Sequence, residues 1–367
     1  MNIGVAKERT AGEQRVALGP DGIAKLVKGG AAVFVERGAG TAAGFPDGVL
    51  EKAGAKLVDA AAALYATSAI VLRVQPPTLD EAKMLAEGSV LISSLPAATS
   101  GDLIRALAAR RITAFALEKV PRITRAQSMD MLSSQSTVSG YKAVLIGAGA
   151  LPKFLPSLTT AAGSIPPARV FVLGAGVAGL QAIATARRLG AIVSAFDVRA
   201  AAAEQVMSLG ATFVASDLVA ADAETKGGYA RAQGEDERER TLAAIARHIV
   251  NQDLVITTAL IPGRAAPVLI TKAMVESMQP GSVVVDLAAE AGGNCELTKP
   301  NETIHVGGVT IIGAVNLPST VPFHASQMLS RNILTLLQHL IKENALTIDL
   351  TDEITKAMVV THDGVVV

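Results

Sequence analysis

The feature that most narrows the fold is a glycine pattern set between a strand-like and a helix-like run. Gly174-Ala-Gly176-Val-Ala-Gly179 follows the apolar run Arg169–Leu173 directly and opens an Ala/Leu-rich stretch, Leu180–Leu189, that stops at Gly190. A second apolar run, Ile192–Phe196, then ends on Asp197, 23 residues after Gly174. Strand, tight turn, helix, strand and acid in this order make a βαβ unit of the dinucleotide-binding type. The first glycine permits the turn and the second lets the backbone approach a pyrophosphate. The third lets helix and strand pack closely, and the helix N-terminus faces the phosphates. Val177 lies within the pattern beside Gly176, and Val198 follows Asp197. Asp197 is placed to accept hydrogen bonds from the adenosine ribose hydroxyls and to repel a 2′-phosphate, which favours NAD(H) over NADP(H). Arg199, two residues on, has the charge to accommodate that phosphate, so the residues alone leave the choice open. A second glycine pair, Gly147-Ala-Gly149, meets Pro152 where a third glycine is needed, and reads as part of a helical connection.

The same alternation extends through the chain. Short apolar runs at residues 3–6, Val33–Glu36, Ile70–Val74 and Val90–Ser93 alternate with helix-like stretches such as Asp21–Lys28, which Gly29-Gly30 terminates. The pattern restarts after residue 135, with runs at Val170–Leu173, Ile192–Phe196, Phe213–Ala215, Leu254–Thr257, Val283–Leu287 and Val309–Gly313. The expectation is an α/β fold: two doubly wound, parallel-sheet, Rossmann-like domains with a cleft between them. Residues 1–132 with 317–367 form the first, and 133–316 the nucleotide-binding one. A helix over Phe323–Lys342 returns the chain to the first domain, and Asp363-Gly364 turns a final hairpin. Residues 222–240 hold ten charged residues in nineteen and read as an exposed loop.

Composition excludes several classes. The chain has 367 residues, 50% of them hydrophobic and 18% charged, too apolar for a disordered chain. The longest uncharged runs, Val170–Ala186 and Thr303–Ser330, are interrupted by glycines, polar residues and prolines, so no membrane-spanning helix is expected. Lys plus Arg equals Asp plus Glu at 33 each, and aromatics are 3% with no Trp, which argues against nucleic acid as a partner. Cys295 is the only cysteine, and the five histidines have no metal-ligand spacing, so no metal is expected. The N-terminus lacks the basic-then-apolar order of a signal peptide, and the expected location is cytoplasmic.

A second signal lies at the start of the chain: Lys7-Glu8, Glu13, Arg15-Val16-Ala17 and Pro20. It resembles the signature shared by alanine dehydrogenases and the NAD(H)-binding component of proton-translocating nicotinamide nucleotide transhydrogenases. The stretch Pro121–Ser136 resembles the transhydrogenases closely. So do Gly163–Ala168, Gly227–Ala230, Thr257–Gly263 and Glu290–Cys295. Alanine dehydrogenases carry a substrate-binding Lys where this chain has Gln75, and a catalytic His near Ser94. An oxidative deaminase needs groups that activate water and move protons, and Gln75 and Ser94 do neither. Hydride exchange between two nicotinamides needs ring alignment and exclusion of water instead.

The resemblance implies an oxidoreductase that binds NAD(H) and passes hydride to NADP+ held by a partner subunit. Proton translocation belongs to separate membrane-spanning subunits, and this chain lies as a homodimer on the inner face of the cytoplasmic membrane. It also implies site roles. Arg122, Gln127 and Asp130 act around the nicotinamide and its ribose, with Gln127 bridging the riboses of the two nucleotides. Asp130 holds Arg122 and orders water, and Ser133 contacts the carboxamide. Gly228 and Tyr229 belong to a loop that folds over the nucleotide, and Leu260 lines its cleft at a strand end. Two other readings stay open: an alanine dehydrogenase-like amino-acid oxidoreductase, and a non-catalytic NAD(H)-binding module.

Overall fold

The structure is a computed structural model, and it describes residues 1–96, 99–215, 234–261, 264–343 and 345–367. The chain divides into two compact units, Met1–Gln135 with Pro318–Val367, and Ser136–Leu317. The first contains strands β1 (Asn2–Val5), β2 (Ala32–Glu36), β3 (Lys56–Val58), β4 (Ile70–Leu72), β5 (Val90–Ser93) and β6 (Thr113–Ala116). The second contains a small hairpin, β7 (Leu158–Thr160) and β8 (Gly163–Ile165). Then come β9 (Arg169–Leu173), β10 (Ile192–Phe196), β11 (Thr212–Phe213), β12 (Leu254–Thr257), β13 (Val283–Asp286), β14 (Thr303–Val306) and β15 (Val309–Gly313). The chain then returns to the first unit with β16 (Ile341–Lys342), β17 (Ala345–Leu346), β18 (Val359–His362) and β19 (Val365–Val366).

Both large sheets are doubly wound. The first runs β19-β18-β6-β5-β4-β1-β2-β3 and the second β11-β10-β9-β12-β13-β15-β14. Pairing is parallel from β3 to β6 in the first and from β11 to β15 in the second. Among the described residues, antiparallel strands sit only at one edge of each. Central strands such as β5, β12 and β13 are buried at every residue, as parallel strands covered on both faces must be. In each sheet the strand order reverses beside the first strand, between β1 and β4 and between β9 and β12. Crevices for ligands open at such points, outside the carboxyl ends of the strands.

The helices follow the sequence signals closely. Pro20–Lys28 starts with proline in its first turn and closes on Gly29. Met131–Ala150 absorbs the Gly147-Ala-Gly149 pair into a continuous helix. Pro322–Leu340 buries Leu329, Ile333, Leu336, Leu337 and Leu340 against Ile3, Val5, Ile70 and Ile92 in the core of the first unit. It stops two residues before the expected Lys342, where the β16–β17 pair begins.

Residues 235–240 correct the expected loop over 222–240. Glu235–Ile249 is a helix with Glu235, Asp236 and Glu237 in its first turn and Thr241, Ala244, Ile245 and Ile249 buried. Acidic side chains favour a helix N-terminus, so part of that charge run marks a helix start. Residues 216–233, with Gly228 and Tyr229, lie outside the described residues. Among the described residues no helix is long and apolar enough to cross a membrane.

Candidate functional site

The glycine turn stands at the reversal point of the second sheet, where Leu173 of β9 pairs with Thr257 of β12. Gly174 has φ +94°, a left-handed conformation, and a Cβ there would lie 2.7 Å from Thr258 Oγ1. Thr258 ties the two strand ends together. Its N–H donates to the Leu173 carbonyl at 2.8 Å and its hydroxyl to the Gly174 carbonyl at 2.9 Å. A Cβ at Gly179 would overlap the Gly174 carbonyl oxygen, so this glycine lets the Val177–Arg188 helix seat against the turn. Gly140 does the same for the Met131–Ala150 helix, because a Cβ there would overlap the Ala178 carbonyl oxygen.

Gly176 differs from all three. Its backbone is extended, and nothing lies within 4 Å of the position a Cβ would take. The fold itself therefore places no demand for glycine at 176. The open space lies at the N-cap of a 12-residue helix whose cap supplies no side-chain hydrogen bond. The first-turn N–H groups of such a helix have no intrahelical partner and attract anions. Val177 is 41% exposed and Leu260, beyond the end of β12, is 47% exposed. Leu260 is therefore not a core residue. Val198 is half-buried and packs on the cluster around Phe171 and Phe196.

Asp197 directly follows β10 with its carboxylate almost buried. One oxygen accepts the Ala175 N–H at 2.7 Å, which pins the glycine turn to the second strand. The other accepts the Arg199 N–H at 2.9 Å, and the Arg199 guanidinium folds back onto both oxygens. Arg199 is thus drawn toward Asp197, not extended toward solvent.

The loop after β12 has its own support. Asp286, fully buried at the end of β13, accepts from the Thr257 and Thr298 hydroxyls and from the N–H groups of Ala288, Asn294 and Cys295. Asn294, also fully buried, receives the Ala259 N–H at 3.0 Å and donates to the Ala259 and Pro267 carbonyls. These contacts fix the backbone beside Leu260. Cys295 is buried, and burial pushes its thiol up, which disfavours the thiolate.

In the first unit, Thr124–Met129 forms a short 3-10 turn with Ala126 and Met129 buried. Gln127 and Arg122 are exposed and Asp130 is half-buried. The Asp130 carboxylate accepts the Ser133 N–H at 2.9 Å and the Ser133 hydroxyl at 2.6 Å, capping the start of the Met131–Ala150 helix. Gln127, Asp130 and Ser133 are therefore gathered within one turn and one helix start.

The segments after β1 and β4 are bound to each other by the chain's own charges. Arg73, 1% exposed, reaches Glu81 at 2.7 Å, Tyr65 at 2.7 Å and Glu8 at 3.3 Å. Burial pushes the Glu8 carboxyl up against the pull of Arg73 and two backbone N–H groups. Next to it, Arg15 forks onto Glu13 at 2.8 and 2.7 Å, and Gln75 Nε2 donates to the same carboxylate at 2.8 Å. Burial alone would raise the Glu13 carboxyl, but these hydrogen bonds and the Arg15 charge win and bring it down to about 2.

Two family models account for nearly the whole chain: alanine dehydrogenase/PNT, N-terminal domain, over residues 4–139, and alanine dehydrogenase/PNT, C-terminal domain, over 143–367. The chain belongs to the alanine dehydrogenase/PNT family. Within this family it is 48% identical to the first portion of the NAD(P) transhydrogenase alpha subunit of Rhodospirillum rubrum, over 100% of this chain and 98% of the relative. The solved transhydrogenase from Sinorhizobium meliloti superposes with a TM-score of 0.91 at 45% identity, with 100% of both chains covered. A solved L-alanine dehydrogenase superposes at 0.84 with 29% identity, covering 100% of this chain and 97% of that one. The fold is common to both branches, and similarity is higher on the transhydrogenase side.

Thr258, Asp286 and Asn294 are structural contributors that the sequence reading did not single out. Thr258 and Asn294 lie in the stretches that resemble the transhydrogenases, Thr257–Gly263 and Glu290–Cys295, and Asp286 stands at the strand end before the second. A buried Asn or Asp in a loop carries no periodic signal. Its partners, separated by up to 35 positions here, emerge only when the strand ends meet.

Proposed function

We propose that this chain is the NAD(H)-binding peripheral subunit of a proton-translocating transhydrogenase, and that hydride passes directly between its NADH and NADP+ held by a partner subunit. The observation that carries the nucleotide assignment is the open space over Gly176 at an uncapped helix N-terminus. A glycine that the fold does not need is explained by a ligand that occupies the place of its side chain. Gly174, Gly176, Val177 and Gly179 would hold the pyrophosphate, Asp197, Val198 and Arg199 the adenosine ribose, and Leu260 an apolar face. Gly228 and Tyr229 are assigned to the same nucleotide through the family resemblance.

Bound dihydronicotinamide supplies the hydride. The residues of this chain orient the ring, exclude water and hold the ribose, because hydride exchange moves no proton at the reacting carbons. Gln127 suits a bridge between two riboses, since one amide both donates and accepts. The Asp130 carboxylate retains lone pairs beyond those used by Ser133 and can hold Arg122. Proton movement is assigned to separate membrane-spanning subunits, with this chain a homodimer on the inner face of the cytoplasmic membrane.

A second reading, an amino-acid dehydrogenase, has the L-alanine dehydrogenase fold on its side. Against it, Gln75 is a neutral amide bonded to Glu13, and Arg15 forks onto that same Glu13. The test mixes this chain with an NADP(H)-binding transhydrogenase component. Hydride exchange between NADPH and a spectrally distinct NAD+ analogue is expected only with both proteins present. NADH formation driven by L-alanine with this chain alone would overturn the proposal.

A further inference from the structure

One buried amide ties together the two halves of the segment that carries Gln127, Asp130 and Ser133. Asn332 lies on the Pro322–Leu340 helix and is 7% exposed. Its Nδ2 donates to the Ser128 carbonyl at 2.8 Å, and its Oδ1 accepts from the Ser134 hydroxyl at 2.6 Å. Ser128 adjoins Gln127, Ser134 adjoins Ser133, and Asp130 lies between them. The 2.6 Å contact is shorter than the 3.1 Å one from the same hydroxyl to the Met131 carbonyl. Around Asn332 the helix presents Leu329, Ile333 and Leu336 to the core. An amide at that position lowers helix propensity and must be desolvated, so its use lies in the two hydrogen bonds.

The segment is further braced from both sides. Gln135 Nε2 donates to the Ala325 carbonyl at 3.1 Å, and Arg15 donates to Gln135 Oε1 at 2.9 Å. Arg125, in the turn with Gln127, pairs with Asp352 at 2.6 Å. The exposed Gln127 side chain takes its place from this backbone.

We propose that Asn332 is a positioning residue for hydride transfer: it sets the spacing between Gln127 and the Asp130–Ser133 pair, and through them the alignment of the two nicotinamides. This rests on the assignment of Gln127 and Asp130 given above. A misplacement of about 1 Å in aligned reactants costs about a hundredfold in rate, whereas the NADH affinity of the chain rests mainly on the pyrophosphate and adenosine contacts assigned to Gly174, Gly176, Gly179 and Asp197, which Asn332 does not touch.

The test uses Asn332→Leu and Asn332→Asp in the complex with the NADP(H)-binding partner. The Leu side chain is close to Asn in size and shape and removes both hydrogen bonds; the Ser128 carbonyl then turns to water and the Ser134 hydroxyl to Met131. Asn332→Asp keeps the acceptor for Ser134 and sets a carboxylate against the Ser128 carbonyl. Expected for both is a single-turnover hydride transfer slowed about a hundredfold. NADH affinity of the chain should stay within about threefold. Transfer within about threefold of the unmodified rate in a folded variant overturns the proposal. So does a rate loss matched by an equal loss of NADH affinity, the mark of a merely structural role. Should the Leu variant not fold, the Asp variant decides by the same two criteria. Gln127→Asn, measured in parallel, separates the two failures. If it transfers normally, the assignment of Gln127 falls and the positioning role with it. If it is slow while both Asn332 variants are fast, only the positioning role falls.

Discussion

Arg199 forks onto Asp197 from two positions along the chain, Nε to Oδ1 at 2.9 Å and Nη2 to Oδ2 at 2.8 Å. The acid that would select the ribose and the base that would welcome a 2′-phosphate thus hold each other. While Asp197 is present, the guanidinium is neutralised beside the very site a phosphate would need.

The first prediction uses that pairing. Asp197→Ala removes an ionised acceptor worth about 1.5–3 kcal/mol to its donors, so NADH should bind about ten- to a hundredfold more weakly. The same change releases Arg199, and NADPH affinity should rise. Adding Arg199→Ala should remove the NADPH gain without restoring NADH. Fluorescence titration with both nucleotides checks this; equal affinity of the unmodified chain for NADH and NADPH would sink the selection role.

The glycines give the second prediction, because identical substitutions should have opposite consequences. Gly176→Ala places a methyl in open space and should leave the melting temperature unchanged while weakening NADH strongly. Gly179→Ala drives a methyl into the Gly174 carbonyl and should destabilise by about 3 kcal/mol or more, as overpacking against backbone does. Thermal melts and NADH titration separate the two. A Gly176→Ala variant with normal NADH affinity would mean that no ligand approaches there.

Much of the fold was legible because the central strands are continuous β-branched runs. Leu254–Thr257 is a continuous apolar run because both its faces are buried, and Ile192–Phe196 and Val309–Gly313 stand out by their apolar residues although Ile192 is exposed and Thr310 and Ile312 are half-buried. The edges were not legible. Thr303–Val306 is partly exposed and polar at alternate positions, and Lys56–Val58 has three residues and opens on an exposed lysine, so both look like loop. Thr113–Ala116 is central but built of small residues. At the candidate site, Gly174 and Asp197 stood out because a motif spaces them. Asn332 did not, because its partners are about two hundred residues away in sequence and one buried amide on an apolar helix resembles an ordinary polar interruption.

The third prediction concerns acid. Glu13 titrates at about 2 in the folded chain against an ordinary value of 4.5, so folding favours its ionised form. Its contribution, on the order of 3 kcal/mol, is complete above about pH 4.5 and is lost as pH falls through 4.5 toward 2. Glu8 is shifted the other way, upward by burial, so its cost to folding is relieved earlier in the descent, as pH falls from its raised value to 4.5. Glu13→Gln should therefore lower stability at neutral pH and flatten the acid limb. Urea unfolding at neutral pH and near pH 3 reads both effects, and an unchanged acid limb would remove Glu13 as its source.

The last prediction is Gln127→Asn. The two reacting ring carbons must come to about 3–3.5 Å, so small errors of alignment govern the rate. Asn keeps the donor and the acceptor of the amide but withdraws both by one methylene, and Gln127 is exposed, so folding should be unaffected. NADH binding to the isolated chain should change little, because the lost contact mainly concerns the second nucleotide. Single-turnover hydride transfer in the complex should fall about a hundredfold or more. Gln127→Glu refines the test: it keeps the length and the acceptor but removes the donor, so transfer between the two results would assign the loss to reach and hydrogen bonding together. Near-normal transfer by Gln127→Asn would make Gln127 an ordinary surface residue, and the alignment would then have to rest on Arg122 or Asp130.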